Sequence, residues 1–177
     1  MIKATNLASR IAVLLAGRGK TASFLDDVCV QDDGDGPRLV SWDKQKLGPE
    51  PTQSQIDAID DLVVYRNEKW EEIKAARDAA RNAGFLFNGK TVQSDAASSD
   101  NVAGAALAAT IAKALGVPYS VEWTMADNSV MPLNGDQVIA MFMTGAEFVK
   151  TIYARGVTLR EQLAQAETEE EIQAIAW

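Results

Sequence analysis

The chain contains no histidine and a single cysteine, Cys29, among its 177 residues. Without histidine there can be no Ser-His triad and no Cys-His dyad, and the usual general base at neutral pH is missing. Most zinc sites are excluded for the same reason. One cysteine permits no intrachain disulfide, which suits a reducing compartment such as the cytoplasm. These absences remove the most common catalytic and metal-binding classes.

Long apolar runs and an excess of basic residues are also missing. The longest apolar stretches, 11–17 and 102–112, are shorter than the roughly 20 residues that cross a bilayer. No basic segment followed by an apolar run and a cleavage site opens the chain. The formal net charge is −8, whereas a phosphate-binding surface needs clustered lysine and arginine. We therefore expect no membrane span and no nucleic-acid partner.

The segment Gly17–Thr21 has the glycines and the lysine of a phosphate-binding loop but lacks its first glycine. That glycine belongs five positions before Gly19, and Leu14 stands there. An apolar helical pattern precedes the segment, where the motif requires a strand. The segment is interpreted as the end of a helix, with cations near the negative end of the helix dipole.

Other acidic and thiol groups also fail to form a recognisable site. The cluster Asp32, Asp33 and Asp35 reads as a hairpin turn, although its oxygen ligands leave cation binding open. Adjacent carboxylates elsewhere do not face each other on a helix. Cys29 has no histidine to activate it and is expected to be a small packing residue in a strand. We therefore predict no catalytic, cofactor-binding or metal-binding residues, and a chain that is not an enzyme.

Hydrophobic periodicity predicts an α+β fold of small antiparallel hairpins packed with several helices and ending in a helical tail. Asn88-Gly89 between apolar residues predicts a type I′ turn. Capping-box patterns begin at Thr52, Thr158 and Thr168, and the chain after residue 157 is expected to form short helices. Helices are predicted at 4–16, from 52, at 70–83, at 101–115 and from 134, and hairpins at 24–42, 85–93 and 119–133.

Two regions are predicted. Residues 1–50 form an attachment region of one helix and one hairpin, and residues 51–177 form a larger α+β domain. The proline- and glycine-containing connection 46–51 favours this boundary. Whether 53–83 is one helix or two stays open. Ser98, Ser99 or Asp100 is expected to cap the alanine-rich helix.

Apolar side chains at helical spacing near the N-terminus form a narrow stripe, and a tryptophan ends the chain. We expect this stripe to dock on another chain or on a symmetry mate; packing against the first hairpin is the alternative. For the terminal tryptophan, packing on its own domain and on another chain both stay open. Trp42, Trp70 and Trp123 offer sugar- or partner-binding platforms, but core packing is favoured for Trp70 and Trp123. The interface candidates are Leu7, Ile11, Leu14, Leu15 and Trp177.

An ordered string of landmarks in the second region carries a family resemblance. Its members, from about residue 68 to residue 177, are Trp70, Ile73, Lys74, Arg77, Gly84-Phe85, Asn88-Gly89, Ser94-Asp95, Trp123-Thr124 and Ala126-Asp127-Asn128. The string resembles a domain of uncharacterised activity found in bacteriophage tail-fibre and tail-fibre-associated proteins. The stretch 42–56 is also similar to one that precedes such a domain in small phage tail proteins.

The resemblance implies a function and a location. It implies a non-enzymatic structural protein of the phage tail, at the fibre or baseplate, that acts through protein–protein contacts. The implied partners are other phage tail proteins, the implied location is the virion tail after assembly in the host cytoplasm, and several identical copies are expected. A fibre-assembly chaperone absent from the mature virion is the alternative. The family has no established catalytic residues to carry over.

Overall fold

The computed structural model describes residues 6–177. That range contains seven helices and three antiparallel two-stranded hairpins, so the predicted α+β class is confirmed. The helices are α1 (Leu7–Gly17), α2 (Lys44–Leu47), α3 (Gln53–Asp57), α4 (Asp61–Asn82), α5 (Ala96–Ala114), α6 (Gly135–Gln165) and α7 (Glu169–Ala174). The strands are β1 (Val28–Asp32), β2 (Pro37–Trp42), β3 (Phe85–Phe87), β4 (Lys90–Val92), β5 (Ser120–Thr124) and β6 (Val130–Asn134).

The contacts divide the chain into two compact units. Unit 1 comprises Met1–Glu72 and Gln162–Ala176, and unit 2 comprises Ile73–Glu161 and Trp177. The C-terminal segment joins unit 1 through a hydrogen bond of 2.6 Å from Arg66 Nη2 to the Ala166 carbonyl oxygen. That bond links residues 100 positions apart, which local sequence patterns do not reveal.

The apolar stripe of α1 lies in the core of unit 1. Leu7, Ile11 and Leu15 are buried, and Leu14 is half-buried. The core cluster consists of Leu7, Ile11, Leu15, Val28, Leu47 and Ile56. The three buried side chains therefore pack within their own unit, against the first hairpin and its neighbours, which is the alternative that the sequence left open. The start of the predicted helix, residues 4 and 5, lies outside the described residues.

Hairpin β1–β2 buries Val28, while its neighbour Cys29 is exposed. The expectation that Cys29 packs inside is wrong because successive strand side chains point to opposite faces, and Val28 takes the inner one. Just before β1, Asp27 is also buried, and Lys46 Nζ lies 2.6 Å from its Oδ2 atom. This hydrogen bond and one from the Ser23 backbone N–H lower the pKa of Asp27.

The sequence did not decide whether residues 53–83 form one helix or two, and the structure has two. The capping box at Thr52 is confirmed, since Gln55 N–H donates to the Thr52 hydroxyl and the Gln55 side chain accepts from Thr52 N–H. However, α3 ends at Asp57 and α4 starts at Asp61. The Asp60 carboxylate accepts from the Leu62 N–H at 2.9 Å, so it satisfies a donor at the start of the second helix.

In unit 2 the hairpin β3–β4 turns through Asn88 and Gly89, whose φ angles are 50° and 78°. Both angles are positive, as a type I′ turn requires, so this prediction is confirmed. The β5–β6 hairpin follows the predicted positions. The core between these hairpins and helices α5 and α6 is formed by Phe85, Phe87, Val92, Val102, Ala106, Ala109, Met125, Leu133, Val138 and Met141.

Three predicted helix boundaries are wrong, and one of them is the start of α4, which begins at Asp61 and not at residue 70. Helix α5 begins at Ala96, and its N-cap is Asp95, whose side chain accepts from Ser98 N–H; none of the three residues predicted as caps serves as the N-cap. Helix α6 runs through Thr158, whose hydroxyl donates to the Ala154 carbonyl oxygen at 3.3 Å. A threonine hydroxyl can make this bond inside a helix, so the capping pattern alone did not define a helix start. The box at Thr168 is confirmed.

Candidate functional site

The predicted interface residue Trp177 contacts its own chain. The guanidinium of Arg155 lies over its indole, 5.1 Å from the ring centroid, and the side chain is half-buried. A cation over an indole face contributes about 0.5–1 kcal/mol at exposed sites. Together with the burial of Leu7, Ile11 and Leu15, this contact places four of the five predicted interface residues in intramolecular packing.

The two segments considered as ligand loops have local structural roles. Arg18 and Lys20 donate to the carbonyl oxygens of Pro49 and Lys46 at 2.8 and 3.0 Å, so both cations join the end of α1 to α2 and the residues just after it. In the first hairpin turn, Asp32 Oδ1 accepts from two glycine N–H groups, and Asp33 pairs with Arg38. Among residues 6–177 no cluster of three or more acidic, cysteine or histidine side chains is arranged to hold a metal ion.

An exposed apolar face on α5 is the first surface that sequence reasoning did not identify. Leu107, Ile111 and Leu115 follow one another at four-residue spacing, and Val117 lies just beyond the helix end. These four side chains, which we call the α5 face, are 51–73% exposed. The opposite side of the helix is buried in the unit 2 core. Helix α5 is thus apolar on both sides, a pattern typical of a helix with a second partner.

Charge is absent along most of this helix. No ionisable residue lies between Asp100 and Lys113. At the end of that segment Lys113 pairs with Asp136, at 2.7 Å. The sequence did contain a pattern for the α5 face, namely leucine and isoleucine at four-residue spacing within an alanine-rich helix. It was missed because the buried side of the same helix is also apolar.

A half-open apolar cavity of about 310 Å³ lies between the start of α5 and the middle of α6. Its lining residues are Phe85, Ser94, Ser99, Val102, Phe142, Gly145, Ala146 and Val149. The two serines do not offer free donors to it. Ser94 donates to the Arg81 carbonyl oxygen and accepts from Gly84 N–H, and Ser99 donates to the Ser94 carbonyl oxygen at 3.1 Å.

A second pocket, of about 290 Å³, has a polar lining formed by three elements. The residue after β4, Gln93, forms one wall; Ser98 and Asn101 lie three positions apart on the first turns of α5; Trp123 and Thr124 end β5. We call this the Trp123 pocket. Side chains three apart on a helix share one face, which explains why Ser98 and Asn101 meet there. Gln93, Asn101 and Thr124 are exposed, whereas Ser98 and Trp123 are half-buried.

The side chains of this pocket are largely free to bind. Within residues 6–177, the side chains of Gln93, Asn101, Trp123 and Thr124 make no hydrogen bond to another residue. The Ser98 hydroxyl donates to Asp95 Oδ2 at 2.6 Å, and this bond together with one from Ser98 N–H lowers the pKa of Asp95. Asp95 therefore carries its negative charge at neutral pH beside an uncharged pocket. Trp123 also packs against the unit 2 core, as the sequence favoured.

A family model described as Domain of unknown function (DUF4376) matches residues 64–176. The matched segment includes Ile73–Glu161 of unit 2, together with the α5 face and the Trp123 pocket. No curated protein and no solved structure matches the chain. In the described residues, none of the helices combines the length and apolar character that crossing a membrane requires. The family description states no activity, so it supports an uncharacterised domain at the position where the resemblance was found.

Proposed function

We propose that this chain, which belongs to the DUF4376 family, is a non-enzymatic structural protein of a bacteriophage tail. It acts through protein–protein contacts at the tail fibre or baseplate, in several identical copies, after assembly in the host cytoplasm. Its partners are other phage tail proteins. The ordered string from Trp70 to Asn128 supports the tail assignment by its resemblance to tail-fibre-associated domains. The absence of histidine supports a role without acid–base catalysis.

The observation that carries a contact-based function is the α5 face. A contiguous exposed apolar patch on a protein surface often marks an interaction site, whereas single exposed apolar residues do not. Covering the four side chains of the face contributes roughly 1–2 kcal/mol each. Association costs about 4–15 kcal/mol, so this face alone supports a weak contact. Several such contacts in one assembly reinforce one another.

The occupant that fits the α5 face is a second copy of this chain. The protein carries a net charge of −8, so two copies repel each other overall. The segment between Asp100 and Lys113 carries no charge and meets its own copy without that repulsion. A self-complementary surface of this kind is what a symmetric contact requires. The α5 face therefore replaces the α1 stripe as the proposed contact between copies.

Ile111→Glu is expected to abolish this self-association, because it places a carboxylate at the centre of the α5 face in both copies. Sedimentation velocity over a concentration series up to the millimolar range measures the change. The matched control is Val157→Glu, which introduces the same charge at another exposed apolar position, on α6. The proposal requires that wild type and control associate alike and that Ile111→Glu stays monomeric with unchanged circular dichroism. A monomeric wild-type protein at the highest concentration contradicts it.

The tail assignment is tested on gradient-purified phage particles by mass spectrometry. We expect the chain to be present in a fixed ratio to other tail proteins. If the chain is absent from particles and fibres are missing when its gene is deleted, the protein is an assembly chaperone. If it is absent and fibres are normal, the tail assignment itself is wrong.

A further inference from the structure

The Trp123 pocket combines an indole with neutral hydrogen-bonding side chains, of which Gln93, Asn101 and Thr124 make no hydrogen bond within the described residues. Its lining contains two carboxamides, two hydroxyls and no ionisable group. Three separate elements bring these groups to one concavity. From this arrangement we propose that the Trp123 pocket binds a single neutral saccharide unit, a role independent of the contacts between tail proteins.

The chemistry of the lining matches the chemistry of a sugar ring. Each hydroxyl of a sugar both donates and accepts a hydrogen bond, and a carboxamide offers both functions from one planar group. Gln93 and Asn101 supply two such groups, and neither has another hydrogen-bond partner in the described chain. The Thr124 hydroxyl and the Trp123 indole N–H add further polar contacts. The indole also supplies an apolar surface for the C–H groups of the ring.

Other ligand classes fit this pocket less well. A phosphate-bearing ligand needs cationic side chains, and the lining has neither lysine nor arginine. An anionic sugar is disfavoured because Asp95 is bonded to Ser98 at the pocket wall. An apolar ligand leaves the free carboxamides unpaired. The volume of about 290 Å³ lies just below the range of drug-sized ligand pockets, roughly 300–1,000 Å³, and therefore suits one ring.

The test is a titration followed by nuclear magnetic resonance of the full-length protein. The probes are the methyl glycosides of glucose, galactose, mannose and N-acetylglucosamine, with methyl sialoside and uridine as comparison ligands. We expect at least one neutral glycoside to shift the Trp123 indole N–H signal and the side-chain amide signals of Gln93 and Asn101 in a saturable way. We expect neither comparison ligand to do so.

Asn101→Ala is expected to weaken that binding about three- to tenfold, the effect of removing one neutral hydrogen-bonding group. Asn101 is exposed and has no hydrogen-bond partner of its own among the described residues, so the variant is expected to fold normally. The matched control is Gln173→Ala, which removes an exposed carboxamide on α7 and should leave binding unchanged. The proposal is overturned if no neutral glycoside binds, if uridine or methyl sialoside binds equally, or if Asn101→Ala and the control bind alike.

Discussion

Gly84→Ala is expected to lower the free energy of unfolding by about 2–4 kcal/mol, the sum of backbone strain and overpacking. Gly84 follows the end of α4 with a φ of +92°, in the left-handed region that glycine tolerates and alanine does not. A Cβ atom there would lie 2.6 Å from the Thr91 Cγ2 atom and 2.7 Å from the Val92 carbonyl oxygen. The second of these contacts is with backbone, so a side-chain rotation cannot relieve it.

Gly89→Ala is the matched control for this effect. Gly89 has a φ of +78°, yet nothing lies within 4 Å of the Cβ atom that the substitution adds. It is therefore expected to cost only the strain, about 1 kcal/mol. Urea unfolding followed by near-ultraviolet circular dichroism, together with hydrogen exchange of the β3–β4 amides, measures both variants. Equal losses in the two variants would show that the contact with Val92 is relieved by movement of the hairpin.

Ile11→Ala is expected to destabilise unit 1 by about 2–5 kcal/mol, the range for truncating a buried isoleucine to alanine. The side chain of Ile11 is fully buried, and it packs in the cluster that joins α1 to the first hairpin and to α3. Its removal leaves a cavity that the surrounding side chains fill only in part. For the same reason, deleting residues 1–17 should unfold unit 1, whereas a stripe that only docked on another chain could be deleted without unfolding it.

The control for Ile11 is Leu25→Ala, because Leu25 is 94% exposed and its truncation should change stability little. Urea unfolding of both variants gives the difference, and sedimentation velocity of the same samples gives their association state. If Ile11→Ala kept wild-type stability but lost self-association, the α1 stripe would again be the expected contact with another chain. Loss of stability with unchanged association at low denaturant places Ile11 in the core, as the structure does.

Features that depend on neighbouring residues were predicted well. The type I′ turn at Asn88-Gly89 follows from the conformational freedom of these two residues, and the capping boxes at Thr52 and Thr168 follow from side chains three positions apart. The helix predicted from residue 134 likewise begins there, with a reciprocal cap between Asn134 and Gln137 through bonds of 2.9 and 3.0 Å. In each case the interacting residues lie at most three positions apart, so the local sequence is enough to predict the interaction.

Predictions failed where a local pattern had more than one physical outcome. Thr158 and Glu161 have capping-box spacing, but α6 continues through them because Leu159 and Leu163 are buried and favour an uninterrupted helix. Cys29 was assigned to the core although alternation in β1 places Val28 inside. The start of α5 was set too late because Asp95, Ser98, Ser99 and Asp100 all have side chains suited to an N-cap.

For the candidate sites, the sequence patterns showed neither which apolar stripe is buried nor which residues meet in a pocket. An apolar stripe on α1 and another on α5 look alike in sequence, yet the first is buried and the second is exposed. The stripe that was expected to face another chain is covered by Val28, Leu47 and Ile56. No pattern in the sequence joined Gln93, Asn101 and Trp123, because the pocket arises from three elements that are separate along the chain.

The sequence by itself determined the α+β class, the order of the hairpins and the longer helices, the tight turns, several of the helix ends and the family resemblance. These depend on backbone preferences and on hydrogen bonds between residues a few positions apart. Only the tertiary structure decided which apolar face is buried, how the C-terminal segment joins unit 1 through Arg66, and where neutral polar side chains meet in a pocket. Burial depends on how distant segments pack together. The hydrophobic effect is non-directional, so an apolar residue does not specify which segment will cover it.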